Sequence, residues 1–408
     1  MFDVIVIGAG PAGSTAAKVL GEAGVSTLLL DKSAFPRDKP CGGGISARVL
    51  RRFPYLENAL RTIPSKRVSK IYFESPAGFA VDYESAESLY LMIRRCEFDC
   101  LLWTIARSCI EFQPALARKI AFQPDRVLIT ADVDGEPTEF QARMVIGCDG
   151  ANSVVARATG QRTGSIQDHF AIDMMEETPY QELNLLDRDR MYVYYRIQGQ
   201  YGYGYVFPKS NHVNLGIGFK LDYYLSHLRG RQYPYHSAFV DELTKKRLVA
   251  GRSNRANFRA FPLPISGPIA RTFTDRALLA GDAGGFVNAF TAEGIYYAMV
   301  SGDHAARTAI QALRANDLSA ARLRAYEQSW KSEIGMELAK SVHIQRLLMA
   351  DATRVDRIVR AASRNPVLAD TLARYATGAL SHAEFKRLLL RRAFPMYVRE
   401  KLRAFAGN

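Results

Sequence analysis

Gly8, Gly10 and Gly13 stand in the order Gly-x-Gly-x-x-Gly, and Asp31 follows them by about 20 positions. These residue types at this spacing suit one task. Phosphate oxygens are best held by backbone N–H groups at the start of a helix, and glycine lets the backbone come close enough to donate. Gly8 permits the tight turn, Gly10 admits a pyrophosphate, and Gly13 lets a helix lie close on a strand. An aspartate ending the next strand can accept both hydroxyls of an adenosine ribose. The flanking elements must position these groups. Phe2 to Ile7 reads as a short buried strand, Thr15 to Ala23 as a helix, and Val25 to Leu30 as a second strand ending at Asp31. Such a unit binds a dinucleotide, and NAD and FAD share the fingerprint.

Two distant segments repeat the logic of a buried strand delivering an acid into a glycine-rich turn. Ala277 to Ala280 runs into Gly281-Asp282-Ala283-Gly284-Gly285-Phe286, and a helix follows near Gly294-Ile295-Tyr296-Tyr297. Val145-Ile146-Gly147-Cys148-Asp149-Gly150 is the other. Asp282 suits a ribityl hydroxyl. The helix starting near Gly294 suits the pyrimidine edge of a flavin, where reduction places negative charge.

The three segments, in this order over roughly the first 330 residues, resemble the FAD-binding segments of the p-hydroxybenzoate-hydroxylase-like flavoproteins. That group holds monooxygenases, flavin halogenases and geranylgeranyl reductases. The resemblance implies FAD held by Gly8, Gly10, Ala12, Gly13, Asp31, Asp282, Gly294 and Ile295. It also places Arg95, in Arg95-Cys96-Glu97-Phe98-Asp99, where the group has Arg or Gln opening a helix beside the flavin.

Lys39-Pro40-Cys41-Gly42-Gly43-Gly44 is similar to the signature of the geranylgeranyl reductase branch. Three successive glycines imply backbone packed against a flat ring or moving past it. Cys41, Gly42 and Gly44 are therefore expected at the cofactor, with Cys41 a candidate for chemistry. Tyr203-Gly204-Tyr205-Val206-Phe207-Pro208-Lys209, with Gly216 and Gly218 after it, resembles the branch's Tyr-x-Trp-x-Phe-Pro-Lys segment and its trailing glycines. Tyr205 departs from it by standing where Trp is usual. Alternation puts Tyr203, Tyr205 and Phe207 on one strand face, a suitable wall with Pro208 for a long apolar substrate. Gly284-Gly285-Phe286 replaces the Ala-Ala-His continuation usual in aromatic hydroxylases, and the halogenases' Trp-x-Trp-x-Ile-Pro segment is missing.

The resemblance implies an FAD-dependent reductase that saturates C=C bonds of a prenyl chain on a lipid, diphosphate or quinone by hydride transfer from flavin N5. Cys41 and Tyr205 are the candidate proton sources beside ordered water. The rival readings are an FAD monooxygenase of an aromatic or lipid substrate and a carrier that holds FAD without turnover. NADPH and reduced ferredoxin both stand as electron donors, because no second Gly-x-Gly-x-x-Gly is apparent.

The fold expected is α/β, α+β overall: a Rossmann-type FAD domain (1–67, 94–166 and 265–330), an inserted antiparallel sheet domain for substrate (68–93 and 167–264) and a C-terminal helical region (331–408). The 408 residues carry 54 Lys+Arg against 41 Asp+Glu, a net +13 that favours anionic partners. No nucleic-acid motif accompanies it. Much of the excess falls in Phe385 to Phe405, where Lys386, Arg387, Arg391, Arg392, Arg399, Lys401 and Arg403 interleave with Phe394, Met396, Tyr397 and Val398. That pattern suits an anionic bilayer surface or a solvated helix face. Five cysteines without metal-type spacing suggest a reducing compartment and no metal site. With neither signal peptide nor spanning segment apparent, the expectation is a cytoplasmic protein, peripheral at most on the membrane's inner face.

Overall fold

The computed structural model describes residues 1–161, 169–195, 199–200 and 202–393. The chain forms two compact units. The first comprises residues 1–41, 94–171 and 262–342, and the second 42–93, 172–261 and 343–408.

In the first unit the strand Phe2–Ile7 pairs in parallel with Thr27–Asp31 on one side and with the end of Glu136–Gly147 on the other. Thr27–Asp31 pairs onward with Glu111–Pro114, and Glu136–Gly147 with Ala277–Leu279, again in parallel. Strands covered on both faces need continuous apolar runs, and Val4, Ile5, Val6, Leu28, Leu29 and Leu30 are all buried. Parallel neighbours also require a crossover, which the helix Pro11–Glu22 supplies. The long helix Ile295–Arg314 packs across it so closely that a β-carbon at Gly302 would collide with the Ala12 carbonyl.

The second unit holds a seven-stranded sheet in the order Phe258–Pro264, Phe170–Pro179, His212–Lys220, Gly202–Pro208, Arg190–Tyr195, Lys70–Glu74, Ala80–Glu84. The antiparallel expectation needs one correction: Arg190–Tyr195 pairs in parallel with Lys70–Glu74, a strand more than a hundred residues earlier. Helices Leu221–His227 and Gln232–Lys245 interrupt the stretch 167–257, which reads from the sequence as sheet. Their buried Tyr224, His236, Phe239, Val240 and Leu243 recur at helical spacing and cover the face carrying Leu215, Ile217 and Phe219. Residues 42–67 fall in this unit rather than with the nucleotide turn, because Gly44–Ser46 and Ser65–Val68 both pair with Tyr90–Ile93. Helices Ala352–Ser363 and Pro366–Ala376 bury Val355, Val359, Ala362 and Ala369 against Val81, with Phe79 and Tyr83 beside them.

Among the described residues no helix is long and apolar enough to cross a membrane, and no cluster of three or more His, Cys, Asp or Glu could hold a metal ion. All five cysteines are free thiols. Of the basic end, residues 394–408 lie outside the described residues, with Phe394, Met396, Tyr397, Val398, Arg399, Lys401 and Arg403 among them.

Glu176 and His236 are fully buried in the second unit. Glu176 accepts from the Ser253 hydroxyl at 2.5 Å, the Thr178 hydroxyl at 2.6 Å and the Asn254 N–H at 2.9 Å. His236 Nε2 lies 3.2 Å from the Leu215 carbonyl, and its Nδ1 3.7 Å from Glu176. Burial holds the His236 pKa below the usual 6.5, with Glu176 opposing that shift. The unfolded chain therefore takes up a proton near pH 6.5 that the folded chain resists, so stability is full above that pH and declines below it. Melting curves from about pH 7 to about pH 5 are expected to fall less steeply in His236→Gln than in the parent. Equal slopes would remove His236 as the cause.

Candidate flavin and prenyl site

The three glycines of the first turn have three distinct surroundings. Gly8, at φ +99°, leaves no room for a β-carbon against the Cys148 carbonyl. At Gly13 a β-carbon would run into the Gly8 carbonyl. Gly10 alone faces open space, its nearest neighbour being an Arg37 guanidinium nitrogen 3.6 Å from where a β-carbon would sit. Gly10 also caps the helix Pro11–Glu22, which has no side-chain cap and no acid in its first turn. Two glycines thus shape the turn, while the third opens uncapped amides to an anion.

Asp31 is buried, and its carboxylate accepts from the Ala9 N–H at 2.7 Å and the Ser33 N–H at 3.0 Å. It therefore braces the glycine turn as well as ending the strand. Arg37 lies 3.6 Å from Asp31 and 3.4 Å from Asp99, and its buried Nε has no hydrogen-bond partner among the described residues. Asp99 in turn takes Arg95, the first residue of helix Arg95–Arg107, in a two-pronged pair at 2.6 and 2.7 Å. The Cys41 sulfur is within hydrogen-bonding reach of the same guanidinium. Burial works against the Arg95 charge, but Asp99 and Cys41 more than offset it and its pKa rises. Opposite charges alternate from the nucleotide turn to Cys41. No motif marks Arg37 in the sequence. The four-residue spacing of Arg95 and Asp99 was visible.

Asp282 lies in the short turn Gly281–Gly284, whose Gly281 N–H donates to Ser301 Oγ at 3.0 Å. Gly294 opens the helix Ile295–Arg314 without a side-chain cap, and a β-carbon there would stand 3.6 Å from an Asp282 oxygen and 3.4 Å from Val287. Acid and uncapped helix end thus face one small space. Asp149 has a local task instead: it accepts from the Ser153 hydroxyl and the Val154 and Val155 N–H groups, holding the start of helix Val154–Ala158. The orphaned Arg37 Nε, the open face of Gly10 and the Gly294 cradle fit an anionic dinucleotide that carries a flavin.

In the second unit, the strand Gly202–Pro208 carries Tyr203, Tyr205 and Phe207 in a row, with ring centroids 6.1 and 4.6 Å apart. The trailing glycines lie opposite them: Tyr203 pairs with Gly218 and Tyr205 with Gly216. A β-carbon at Gly218 would come 2.6 Å from the Tyr203 ring, and one at Gly216 would penetrate the Tyr205 ring. The Tyr205 hydroxyl donates to buried Asp173 at 3.0 Å. Gly42 packs on the same wall, where its β-carbon would stand 3.0 Å from Phe207 and 3.2 Å from Tyr205; Gly44 has Phe207 at 3.4 Å. The flat rings beside these glycines are therefore the chain's own. Lys209, only 1% exposed, donates its ammonium to the Gly42 carbonyl, and Pro208 is buried where the strand ends. Gly42 and Gly44 of one signature thus pack on the rings of the other. Lys209 closes the second signature, but nothing local shows that it reaches Gly42, and nothing local marks Asp173.

A family profile described as an FAD binding domain matches residues 1–333. The chain is 30% identical over 354 residues to digeranylgeranylglycerophospholipid reductase 1 of Methanopyrus kandleri, covering 81% of this chain and 86% of that protein. It is also 30% identical over 331 residues to geranylgeranyl diphosphate reductase of Rhodobacter capsulatus, covering 79% of each. The crystal structure of a geranylgeranyl bacteriochlorophyll reductase-like protein from Thermoplasma acidophilum superposes with a TM-score of 0.81 at 22% identity, over 98% of both chains.

The ring-over-glycine packing is open to a mutant cycle. Gly216→Val is expected to destabilise the protein by about 1–3 kcal/mol through overpacking. Tyr205→Ala in the same chain should recover part of that loss, because the clashing ring is gone. Additive losses in denaturant unfolding would contradict the packing.

Proposed function

The chain belongs to the geranylgeranyl reductase family of FAD-binding oxidoreductases, and from that premise we propose that it saturates C=C bonds in a prenyl chain borne by a lipid, diphosphate or quinone. The observation that carries this reading is the row Tyr203, Tyr205, Phe207 set against Gly42 and Gly44. An isolated alkene has no carbonyl to accept charge, so adding hydride to one carbon calls for positive charge and a proton at the other. Such a transition state needs a dry wall, and ring faces favour cations.

When bound, reduced FAD supplies the hydride from N5. In this reading the amides around Gly10 and Ala12, with Arg37, hold the pyrophosphate, and Asp31 the ribose. Asp282 holds the ribityl chain, while the helix start at Gly294 and Ile295 faces the pyrimidine edge. Arg95, fixed by Asp99, orients Cys41 beside the cofactor, and Lys209 fixes the Gly42 carbonyl of the following loop. Cys41 and Tyr205 are the proton donors to be tested, Tyr205 with its hydroxyl aimed by Asp173. NADPH or reduced ferredoxin supplies the electrons.

A lipid-borne substrate also calls for contact with a bilayer. We place it on the cytoplasmic face, through basic side chains of the second unit. Helix Ala352–Ser363 buries Val355, Val359 and Ala362 and turns Arg354, Arg357 and Arg360 the other way; Arg364 follows, and Arg357 is 71% exposed. Lys386, Arg387 and Arg391 lie in the described part of the basic end.

Anaerobic incubation of the reduced protein with prenyl lipids should give products two mass units heavier per reduced bond. Oxygen consumption with a hydroxylated product would place the protein among the monooxygenases instead. Tyr205→Phe and Cys41→Ser, each at full FAD occupancy, separate the donors: loss of the true donor costs about a hundredfold or more in rate, and an unchanged rate clears that residue. For the membrane, Arg357→Glu with Arg364→Glu should weaken binding to phosphatidylglycerol vesicles at least tenfold, at about 1 kcal/mol per cation removed. Unchanged co-sedimentation would move the contact elsewhere.

A further inference from the structure

The turn before helix Ile295–Arg314 contains a backbone conformation its side chain disfavours. Ala292 stands at φ +58°, in the left-handed region, two residues before the uncapped Gly294. Conformations of this kind persist only where the surroundings impose them, and they concentrate at ligand clamps.

The surroundings here are specific. Asn288 closes the turn: its side-chain oxygen accepts from the Phe290 and Thr291 N–H groups, each at 3.0 Å. Its carbonyl accepts from the Ala292 N–H at 2.8 Å, and its own N–H donates to the Glu293 carbonyl at 2.9 Å. Asn288 is held from behind, since its amide nitrogen donates at 3.0 Å to the hydroxyl of Tyr297, a fully buried residue. That hydroxyl donates in turn to Glu337 at 2.5 Å. One helical turn past Glu337, Ser341 Oγ accepts the Ala289 N–H at 3.0 Å. Glu337 and Ser341 thus grip the same turn from one face of helix Met336–Ala350, which the π-helical turn Lys331–Gly335 introduces. A π turn adds a residue and so resets the face that the following helix presents.

We propose that Tyr297 and Glu337 are positioning residues for the flavin: through Asn288 they hold Ala292 left-handed, which aims the N-terminal amides of the Ile295–Arg314 helix at the pyrimidine edge and so raises the flavin potential. The inference rests on the flavin reading of this helix end given above. Glu337 fixes the Tyr297 hydroxyl as donor toward itself and acceptor toward Asn288. Without that hydroxyl Asn288 loses its anchor, Ala292 relaxes to negative φ, and the amides turn away from the charge that reduction creates.

The test is the two-electron midpoint potential of bound FAD, with FAD affinity and melting temperature measured on the same samples. Tyr297→Phe is expected to keep FAD and lower the potential by about 30 mV, equivalent to a tenfold change in the reduction equilibrium. Glu337→Gln is the milder variant, expected to shift the potential in the same direction. Ala292→Gly added to Tyr297→Phe should restore at least half of the shift, because glycine adopts the left-handed turn without an anchor. An unchanged potential in Tyr297→Phe overturns the proposal, and so does a fall that Ala292→Gly leaves untouched. Gly294→Val separates the premise from the inference. Its side chain fills the space facing Asp282, so undiminished FAD affinity in that variant removes the flavin from this helix end. Lowered affinity there, together with an unchanged Tyr297→Phe potential, overturns the positioning alone.

Discussion

A flat ring cannot lie across a pleated sheet where a β-carbon stands. The second unit depends on that exclusion. Gly216 and Gly218 leave the space that the rings of Tyr205 and Tyr203 fill, and Gly42 and Gly44 bring a second stretch of backbone onto Tyr205 and Phe207. Lys209 then ties that stretch down through the Gly42 carbonyl. A buried ammonium is tolerated only when it is well partnered, so the lysine has value as a fixed point and little as a source of net stability. The same exclusion operates in the first unit at Gly8, Gly13 and Gly302, where backbone carbonyls occupy the room that glycine leaves. At Gly10 and Gly294 the neighbours of such a β-carbon are side-chain atoms at ordinary contact distance, an arrangement that suits a cofactor.

Charge is arranged as economically as space. An excess of cations spread over a surface only attracts anions in general, whereas the chain Asp31, Arg37, Asp99, Arg95 sets two acids and two bases, all buried but the partly exposed Arg37, beside the nucleotide turn. Each acid is matched, which leaves the uncapped helix ends to meet a pyrophosphate. Part of the remaining positive charge lies on helix Ala352–Ser363, in Arg354, Arg357 and Arg360.

The parts legible in the sequence are those whose physics is local. Strand, glycine turn, helix and terminal acid between Phe2 and Asp31 lie within one crossover, and Gly8 and Gly13 have the steric tasks their positions imply. The alternation of Tyr203, Tyr205 and Phe207 likewise shows one face without reference to the rest of the chain. The partners of these groups lie far off: Lys209 is 167 residues from Gly42, Asp173 is 32 from Tyr205, and Glu337 is 40 from Tyr297. No spacing rule reaches so far. The helices between 221 and 245 were hidden because their tyrosines and histidines read equally well as sheet residues, and the parallel pairing of Arg190–Tyr195 because it joins separate segments.

In the proposed reaction, electrons on the bound flavin pass to an isolated alkene. Anaerobic stopped-flow mixing of the reduced holoprotein with a geranylgeranyl lipid, and separately with its fully saturated counterpart, tests this most directly. The oxidised-flavin absorbance should return with the unsaturated lipid alone. A flavin that stays reduced with every prenyl lipid offered, or that is reoxidised equally by the saturated one, would contradict it.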